Sequence, residues 1–171
     1  MIQANFSGEK IFSNSEEAFS LHEKSSFGEK KEGAVEYSFV EALFLVKEGK
    51  MSIRKTITTS MSLGLLLKKL KKKDKKIETK LVVFSDLRKR GYIIKTALKY
   101  GAEFRVYDKG KKPGEEHARW ILYTPREHDT LTWHDFAAKN RIAHSTKKSL
   151  LIAIVDEESD VSYYEVNWLR P

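Results

Sequence analysis

The residues with the clearest chemical potential flank a basic loop in the second half of the chain. Tyr107 ends the aromatic and β-branched stretch FRVY, and His117 follows ten positions later, after the glycine- and lysine-rich segment DKGKKPGEE. Further along, the segment RIAHSTKKSLL brings Arg141, Lys147 and Lys148 to the start of an apolar stretch. Tyrosine, histidine and lysine side chains can transfer protons and stabilise developing negative charge. These residue types therefore favour general acid–base chemistry.

The sequence lacks the residues and motifs on which several other reaction classes depend. It contains no cysteine, which excludes disulfides, thiolate catalysis and cysteine-ligated zinc or iron–sulfur sites. It also lacks the HExxH, P-loop and GxSxG motifs of zinc peptidases, nucleotide-binding enzymes and serine hydrolases. The spacing of His22, His128 and His134 does not bring metal ligands together. We therefore expect neither a metal site nor a cofactor.

The overall charge favours a polyanionic partner. Thirty-two Lys and Arg residues oppose 24 Asp and Glu residues, for a formal net charge of +8. Such a surface attracts nucleic acid, and binding releases counterions. A solvated surface rich in ion pairs is the alternative explanation. No stretch approaches the roughly 18 apolar residues of a membrane span, and the beginning of the sequence lacks the pattern of a signal peptide, so we expect a soluble, cytoplasmic protein.

The elements that must position these residues are clearest in the second half of the chain. The stretches AEFRVYDKG and HARWILYT, which flank the basic loop, are typical of strands. The segment LTWHDFAAKNRIAHS predicts an amphipathic helix with Thr132 as its N-cap. Two strands around the acidic turn DEESD follow it, and the first is apolar enough to be buried on both faces. Together these elements predict an α/β fold around one mixed sheet.

The segment that leads into this region is predicted to contain a strand and a helix. The apolar run KLVVF, residues 80–84, favours a buried strand. Ser85 then opens a helix that is interrupted at Gly91 and ends at Gly101. The full predicted order is strand, helix, strand, strand, helix, strand, strand.

The first part of the chain predicts a smaller α+β domain. Short strand-like stretches and a polar helix precede a clearer helix. Ser38 and Glu41 form a capping box at the start of that helix, and Gly49 supplies its C-terminal stop. On one face of the helix, Ala42, Leu43 and Val46 are expected to be core residues.

A lysine-rich run separates the two parts. Residues 65–76 carry seven lysines, which favour a solvated helix face or linker, or alternatively a surface that contacts RNA. We place the domain boundary just after this run. The chain is thus predicted to consist of an N-terminal α+β domain, residues 1–78, and a C-terminal mixed-sheet α/β domain, residues 79–171.

Four segments occur in an order and spacing that point to a known family. Three lie in the second half of the chain, DLRKRGYIIKTALKYGAEFRVY, GEEHARW and RIAHSTKKSLLIAIVDEESDVSYYEV, and SFVEALFLVKEGK lies in the first half. Over nearly its whole length the chain resembles the archaeal tRNA-splicing endonucleases of the short, homotetrameric type. The resemblance implies a nuclease that excises introns from precursor tRNA, with a catalytic C-terminal domain.

The resemblance implies a role for each of three residues. Tyr107 would remove the proton from the ribose 2′-OH, His117 would protonate the leaving 5′-oxygen, and Lys148 would stabilise charge on the pentavalent phosphorane. The products would carry a 2′,3′-cyclic phosphate and a 5′-OH, and no metal ion would be needed. Histidine titrates near pH 6.5 and lysine stays positive at neutral pH, which suits these roles.

Two points about these residues stay open. Lys147 competes with Lys148, because adjacent residues of a strand face opposite ways and only one can point into the site; the register of the family's motif favours Lys148. Tyrosine, with a pKa near 10, is a weak base at neutral pH unless nearby cations lower that pKa. Otherwise Tyr107 orients the 2′-OH or binds phosphate. The local candidates for such cations are Lys109, Lys111, Lys112 and Lys148.

The resemblance also implies RNA-binding residues and a subunit interface. Members of the family bind the bulge–helix–bulge, a short RNA helix flanked by two small bulges, and clamp a bulged base between two flat or cationic side chains. Arg141 matches one side of this clamp and Trp168 the other, with Arg170 as the alternative to Trp168. His144 is interpreted as a structural residue of the helix-to-strand turn. The acidic turn would dock on a neighbouring subunit of a homotetramer, a dimer of dimers, through Asp156, Glu157, Glu158 and Asp160.

Two other functions fit parts of the same sequence. One is a noncatalytic RNA-binding or scaffold subunit of a splicing assembly, which has little reason to keep the tyrosine, histidine and lysine together. The other is a Mg²⁺-dependent DNA nuclease, which needs carboxylates clustered beside a lysine. Asp108, Glu115 and Glu116 lie in the basic loop without that pattern. Considered singly, each candidate also has a structural or solvated interpretation, and only their combination favours catalysis.

Overall fold

The computed structural model describes residues 1–55 and 59–171, and its internal contacts divide the chain into two compact units. The first unit is Met1–Phe84 and the second is Ser85–Pro171. Each unit contains one five-stranded sheet together with helices, which confirms the predicted α/β class. Within the described residues, no helix is long and apolar enough to cross a membrane.

The first unit is built on a mostly antiparallel sheet. Its elements, in chain order, are β1 (Ile2–Phe6), β2 (Ile11–Ser13), α1 (Glu16–Ser25), β3 (Glu29–Lys31), β4 (Ala34–Tyr37), α2 (Phe39–Lys47), β5 (Met51–Arg54) and α3 (Leu63–Lys71). The strand order is β3-β4-β2-β1-β5, and only β1 and β5 are parallel. The lysine-rich run thus begins on α3, whose Leu66 and Leu70 are fully buried while its lysines are exposed.

Helix α2 has the ends that its sequence predicts. The Ser38 N–H donates to Glu41 Oε2 at 3.0 Å and the Glu41 N–H donates to Ser38 Oγ at 3.4 Å, which closes the capping box. Gly49 follows the helix with φ +66°, a conformation that glycine adopts at little cost. Ala42 and Leu43 are fully buried, whereas Val46 is half-buried.

The region after Lys76 differs from its prediction. Residues 80–84 are not a strand: they belong to α4 (Ile77–Lys89). A short apolar run fits either structure, and here Val83, Phe84 and Leu87 are buried at helical spacing. Nor does the helix continue from Ser85 to Gly101. It ends at Gly91, where the Tyr92 N–H donates to the Leu87 carbonyl oxygen in a Schellman turn, and the β-branched residues beyond form a strand.

The second unit is built on a mixed sheet, as predicted. After α4 its elements are β6 (Ile93–Ala97), a 3₁₀ turn (Leu98–Tyr100), β7 (Ala102–Tyr107), β8 (Trp120–Tyr123), α5 (Trp133–Ser145), β9 (Ser149–Val155) and β10 (Val161–Val166). The strand order is β10-β9-β8-β7-β6, with β8 and β9 parallel and the other pairs antiparallel.

Helix α5 lies on one face of this sheet. Thr132 Oγ1 accepts a hydrogen bond from the Asp135 N–H at 3.1 Å, which confirms the predicted N-cap. Ala143 of the helix is buried against Ile121 and Leu150 of the central strands. The sheet and α5 therefore share a hydrophobic core. The loops of this unit project from the ends of the strands.

Candidate active site

The topology of the second sheet brings three strand ends together. β7 is antiparallel to β8, and β8 is parallel to β9. The C-terminal end of β7 therefore lies beside the N-terminal ends of β8 and β9. Tyr107 is the last residue of β7, His117 precedes β8, and Lys148 directly precedes β9. Residues that are far apart in the sequence thus meet at one end of the sheet.

Backbone hydrogen bonds extend the sheet beyond these strand ends. The Arg119 N–H donates to the Val106 carbonyl oxygen at 2.9 Å, and the Ser149 N–H donates to the Arg119 carbonyl oxygen at 3.0 Å. Arg119 thereby connects the backbones of all three chain segments. It lies two residues after His117, and its partner Ser149 directly follows Lys148. These bonds fix the direction in which the basic loop and the α5–β9 turn approach Tyr107.

The basic loop turns back just before His117. The N–H groups of Glu115 and Glu116 both donate to the Lys112 carbonyl oxygen, at 3.2 and 3.1 Å. Gly114 has φ +93° within this turn, a conformation that favours glycine. His117 is left exposed at the end of the loop.

The turn between α5 and β9 separates the two competing lysines. It is a Schellman motif, in which the Lys148 N–H donates to the Ala143 carbonyl oxygen and the Lys147 N–H to the His144 carbonyl oxygen, each at 2.9 Å. Both lysines belong to this turn and precede β9, so strand alternation does not decide between them. Lys148 lines the same pocket as Tyr107 and His117, whereas Lys147 lines a different pocket.

The pocket that contains these three residues has a volume of about 270 Å³. The Tyr107 side chain is buried, with 4% exposure. The Lys148 Nζ donates to the Thr146 carbonyl oxygen at 2.8 Å, and an ammonium group has further N–H donors for a ligand. The arrangement thus offers a phenol, an imidazole and an ammonium group to one small substrate group. The remaining lining residues are Tyr100, Arg105, Gly114, Glu115, Glu116 and Ala118.

Two lysines of the loop, Lys109 and Lys111, contact residues other than Tyr107. Lys111 forms an ion pair with Glu116, with Nζ 2.6 Å from Oε1. The hydrogen bond from Lys111 and its charge lower the pKa of the Glu116 carboxyl group. The Lys109 ammonium lies 5.2 Å from the centroid of the Tyr92 ring. Of the cations that the sequence nominated, Lys109 and Lys111 thus contact other residues, whereas Lys148 lines the same pocket as Tyr107.

A cation that the sequence analysis missed lies beside Tyr107. The guanidinium carbon of Arg105 is 6.0 Å from the centroid of the Tyr107 ring, and Arg105 lines the same pocket. The signal was present in the sequence, because residues two apart on a strand project from the same face. The sequence analysis nominated the lysines of the adjacent loop instead, because they are close to Tyr107 in the sequence.

The two residues predicted to clamp a base lie near one face of α5. Arg141 is exposed, and His144, three residues later, shares its side of the helix. The Trp168 ring is 49% exposed, and its centroid is 4.5 Å from that of the His144 ring. His144 thus contributes its carbonyl oxygen to the Schellman turn and its ring to Trp168. Arg170 is exposed at the end of the chain.

A second pocket of about 710 Å³ continues from the first. It shares Lys148 with the first pocket, and its lining residues carry no carboxylate among the described part of the chain. Arg119 is held there by Asp108 and Glu165, at 3.3 and 3.4 Å. Because Arg119 is offset by these carboxylates, the positive charge of this pocket comes from Lys147 and Lys148. The second pocket is lined by Arg119, His144, Ser145, Lys147, Lys148 and Ser149.

Two of the three carboxylates of the basic loop form ion pairs with cations of the protein. Asp108 pairs with Arg119 and Glu116 with Lys111. Across residues 1–55 and 59–171, no three His, Asp or Glu side chains are grouped so that they could hold a metal ion. These ion pairs indicate that Asp108 and Glu116 are structural residues of the loop.

The acidic turn between β9 and β10 is exposed apart from its first residue. Asp156 closes the turn, since its Oδ1 accepts from the Asp160 N–H at 2.8 Å. The Glu157 N–H donates to Glu127 Oε1 at 3.1 Å. The side chains of Glu157 and Glu158 are exposed, so the turn presents a compact negative surface.

Comparison with known proteins assigns both parts of the chain to the same family. Residues 77–163 match the family described as tRNA intron endonuclease, catalytic C-terminal domain, and residues 2–64 match tRNA intron endonuclease, N-terminal domain. The chain is 38% identical to the tRNA-splicing endonuclease of Thermococcus gammatolerans, over 99% of both chains. It is 38% identical to that of Methanothermobacter thermautotrophicus, over 88% of this chain and 87% of the relative. The corresponding Pyrococcus furiosus protein is 36% identical, over 99% of this chain and 98% of the relative.

Proposed function

The chain belongs to the tRNA intron endonuclease family, and we propose that it cuts precursor tRNA at bulge–helix–bulge motifs by metal-independent acid–base transesterification. Both domains of the family are present, and the matched catalytic domain includes the candidate pocket. The protein is therefore a tRNA-splicing endoribonuclease. The observation that carries the proposed mechanism is the common pocket of Tyr107, His117 and Lys148.

In this mechanism the substrate supplies its own nucleophile. Tyr107 takes the proton from the ribose 2′-OH, and the 2′-oxygen forms a new bond to phosphorus. The bond from phosphorus to the 5′-oxygen breaks, and His117 gives its proton to that oxygen. Lys148 stabilises the negative charge that accumulates on the phosphorane. No water is consumed, so the products end in a 2′,3′-cyclic phosphate and a 5′-OH.

We further propose that Arg141 and Trp168 hold a bulged base of the RNA. The contact of Trp168 with His144 supports this role, because it brings Trp168 to the side of α5 that carries Arg141. A guanidinium and an indole can sandwich a base of any identity, since every base has a π-face. Such a clamp selects an unpaired base by shape and not by sequence.

The proposed assembly is a homotetramer, a dimer of dimers. β10 is one of the two edge strands of the second sheet, and an edge strand offers unpaired backbone groups to a second copy. The acidic turn, with Asp156, Glu157, Glu158 and Asp160, would dock on a basic surface of a neighbouring subunit. Because the relatives are archaeal, we expect the assembly to act in the cytoplasm, where precursor tRNA is made.

Substitution of the proposed general acid tests this mechanism. We expect His117→Ala to slow single-turnover cleavage of a bulge–helix–bulge RNA by roughly 10²-fold or more, with the RNA dissociation constant nearly unchanged. His128→Ala is the matched control, because His128 is also exposed but does not line the pocket. An unchanged cleavage rate in His117→Ala would remove His117 from the mechanism.

A further inference from the structure

Arg105 lines the active-site pocket, but the mechanism above gives it no part. It lies on β7 between Phe104 and Val106, both buried, so its backbone is held by the core of the second unit. Its side chain is half-buried and extends beside the Tyr107 ring, at 6.0 Å from the ring centroid. A strand position of this kind gives the guanidinium a well-defined place in the pocket.

The guanidinium of Arg105 lacks acceptors that other arginines of this unit have. Its Nε is buried and has no hydrogen-bond partner among the described residues. Arg90 pairs with Asp86, and Arg119 pairs with Asp108 and Glu165. A buried donor without an acceptor costs free energy and calls for an explanation. The Nε itself is closed to the pocket, so a ligand would be contacted by the outer Nη groups of this pocket-lining residue.

We propose that Arg105 is a second phosphate-binding residue of this active site, donating N–H groups to a non-bridging oxygen of the scissile phosphodiester. The inference rests on the proposed function, because the same pocket must hold the reacting phosphate. The planar fork of a guanidinium suits two phosphate oxygens, whereas lysine acts as a point charge. Arg105 and Lys148 would then contact the phosphate from β7 and from the start of β9.

The charge of the reacting group explains why two cations are needed. A phosphodiester carries one negative charge, and the phosphorane formed from it carries two. His117 loses its positive charge as it protonates the 5′-oxygen, so Lys148 is the one residue of the mechanism above that stays cationic. A second fixed cation favours the transition state over the ground state. Glu115 and Glu116 also line the pocket, and Glu116 is balanced by Lys111. A net positive site for the phosphorane therefore depends on Arg105 as well as Lys148.

A matched pair of substitutions separates this role from a general effect on the fold. Arg90 lies over the ring of Tyr163 at the same distance, 6.0 Å, but does not line the pocket. We expect Arg105→Lys to slow single-turnover cleavage by on the order of 10-fold or more, because the fork is lost although the charge is kept. Arg90→Lys should cleave within about twofold of the wild type, as expected for a surface substitution. Arg105→Gln, tested in parallel with thermal unfolding, decides the matter if Arg105→Lys does not fold.

Phosphorothioate RNA distinguishes contact with the phosphate from support of Tyr107. Sulfur is placed at each non-bridging position of the scissile phosphate in turn. If Arg105 binds one of these oxygens, the slowing by sulfur at that position in the wild type should be largely lost in the folded Arg105 variant. A wild-type rate in the variant, or a thio effect as large as that of the wild type, would overturn the inference while the proposed function stands. If the wild type itself yields no cyclic phosphate, the proposed function fails first.

Discussion

Lys147 has φ +56°, a left-handed conformation that costs a residue with a side chain about 1 kcal/mol. It occupies the position after the helix cap at which glycine is common. The two lysines of this turn therefore differ: Lys147 adopts the left-handed conformation of the turn, and Lys148 lines the candidate active-site pocket. At the scale of single residues, this difference predicts opposite consequences for stability and for catalysis.

We expect Lys147→Gly to raise the free energy of unfolding by about 0.5–1 kcal/mol, because glycine adopts the left-handed conformation without steric cost. Chemical denaturation measures the change. Ala137→Gly, exposed within α5, is the control and should lose about 1 kcal/mol. A loss of similar size in Lys147→Gly would contradict the description of this turn.

Helix α4 and strand β10 are joined by a polar contact within the second unit. The Tyr163 hydroxyl donates to Asp86 Oδ2 at 2.7 Å, and the Arg90 Nε donates to the same oxygen at 2.8 Å. Burial, followed by the hydrogen bond to Asp86 and its charge, raises the pKa of Tyr163 well above its usual value. At the scale of elements, this contact attaches the edge strand to the helix.

The raised pKa predicts how stability changes at alkaline pH. The folded state keeps the Tyr163 proton, while the unfolded chain loses it above about pH 10. The extra stability is therefore present below pH 10 and declines as the pH rises further, by about 1.4 kcal/mol per pH unit for one group. Urea denaturation from pH 9 to 11.5 should show a shallower decline in Tyr163→Phe than in the wild type.

The same experiment has a matched control and a clear contrary result. Tyr164 is the next residue and is 55% exposed, so Tyr164→Phe should decline as steeply as the wild type. At pH 8, Tyr163→Phe should lose about 1 kcal/mol because a hydrogen bond is removed. Equal slopes in Tyr163→Phe and the wild type would show that Tyr163 ionises alike in both states.

The elements of the second unit show what the sequence could and could not predict. Strands β7 to β10 and helix α5 follow from alternation, β-branched content and the Thr132 cap. The predicted strand at residues 80–84 was wrong, because a short apolar run fits a strand as well as a buried helix, and these residues belong to the helix at 77–89. Arg105 was missed because its importance depends on the face of a strand and on burial, which neighbouring loop lysines do not reveal.

At the scale of the whole molecule, the acidic turn on a chain of net charge +8 calls for a partner of opposite sign. We expect the double substitution Glu157→Lys and Glu158→Lys to shift the protein from tetramer to smaller species, because like charges would face each other at the proposed interface. Sedimentation velocity measures the shift. The pair Glu9→Lys and Glu32→Lys, exposed in the first unit, makes the same change in net charge and should leave the assembly intact. A tetramer in both variants would rule out docking through the turn.

Both halves of the chain match domains of the family. The proposed roles of individual residues depend on the end of the second sheet, where β7, β8 and β9 bring them together. Residue types and spacing drew attention to Tyr107, His117 and the lysine pair 147–148, and the resemblance to the family favoured Lys148 and implied the catalytic roles. Only the fold brings them to one pocket, because the order of β7, β8 and β9 in the sheet is not written in the local sequence. The proposed catalytic assignment thus depends on sequence for chemistry and on topology for geometry.

The most direct test is cleavage of an end-labelled bulge–helix–bulge RNA by the purified protein in EDTA, with analysis of the product ends. The account predicts cuts in both bulges that leave 2′,3′-cyclic phosphate and 5′-OH ends, without added metal or a second protein. His117→Ala under the same conditions is the negative control. Cleavage that requires Mg²⁺, or products with 3′-OH and 5′-phosphate ends, would contradict the account.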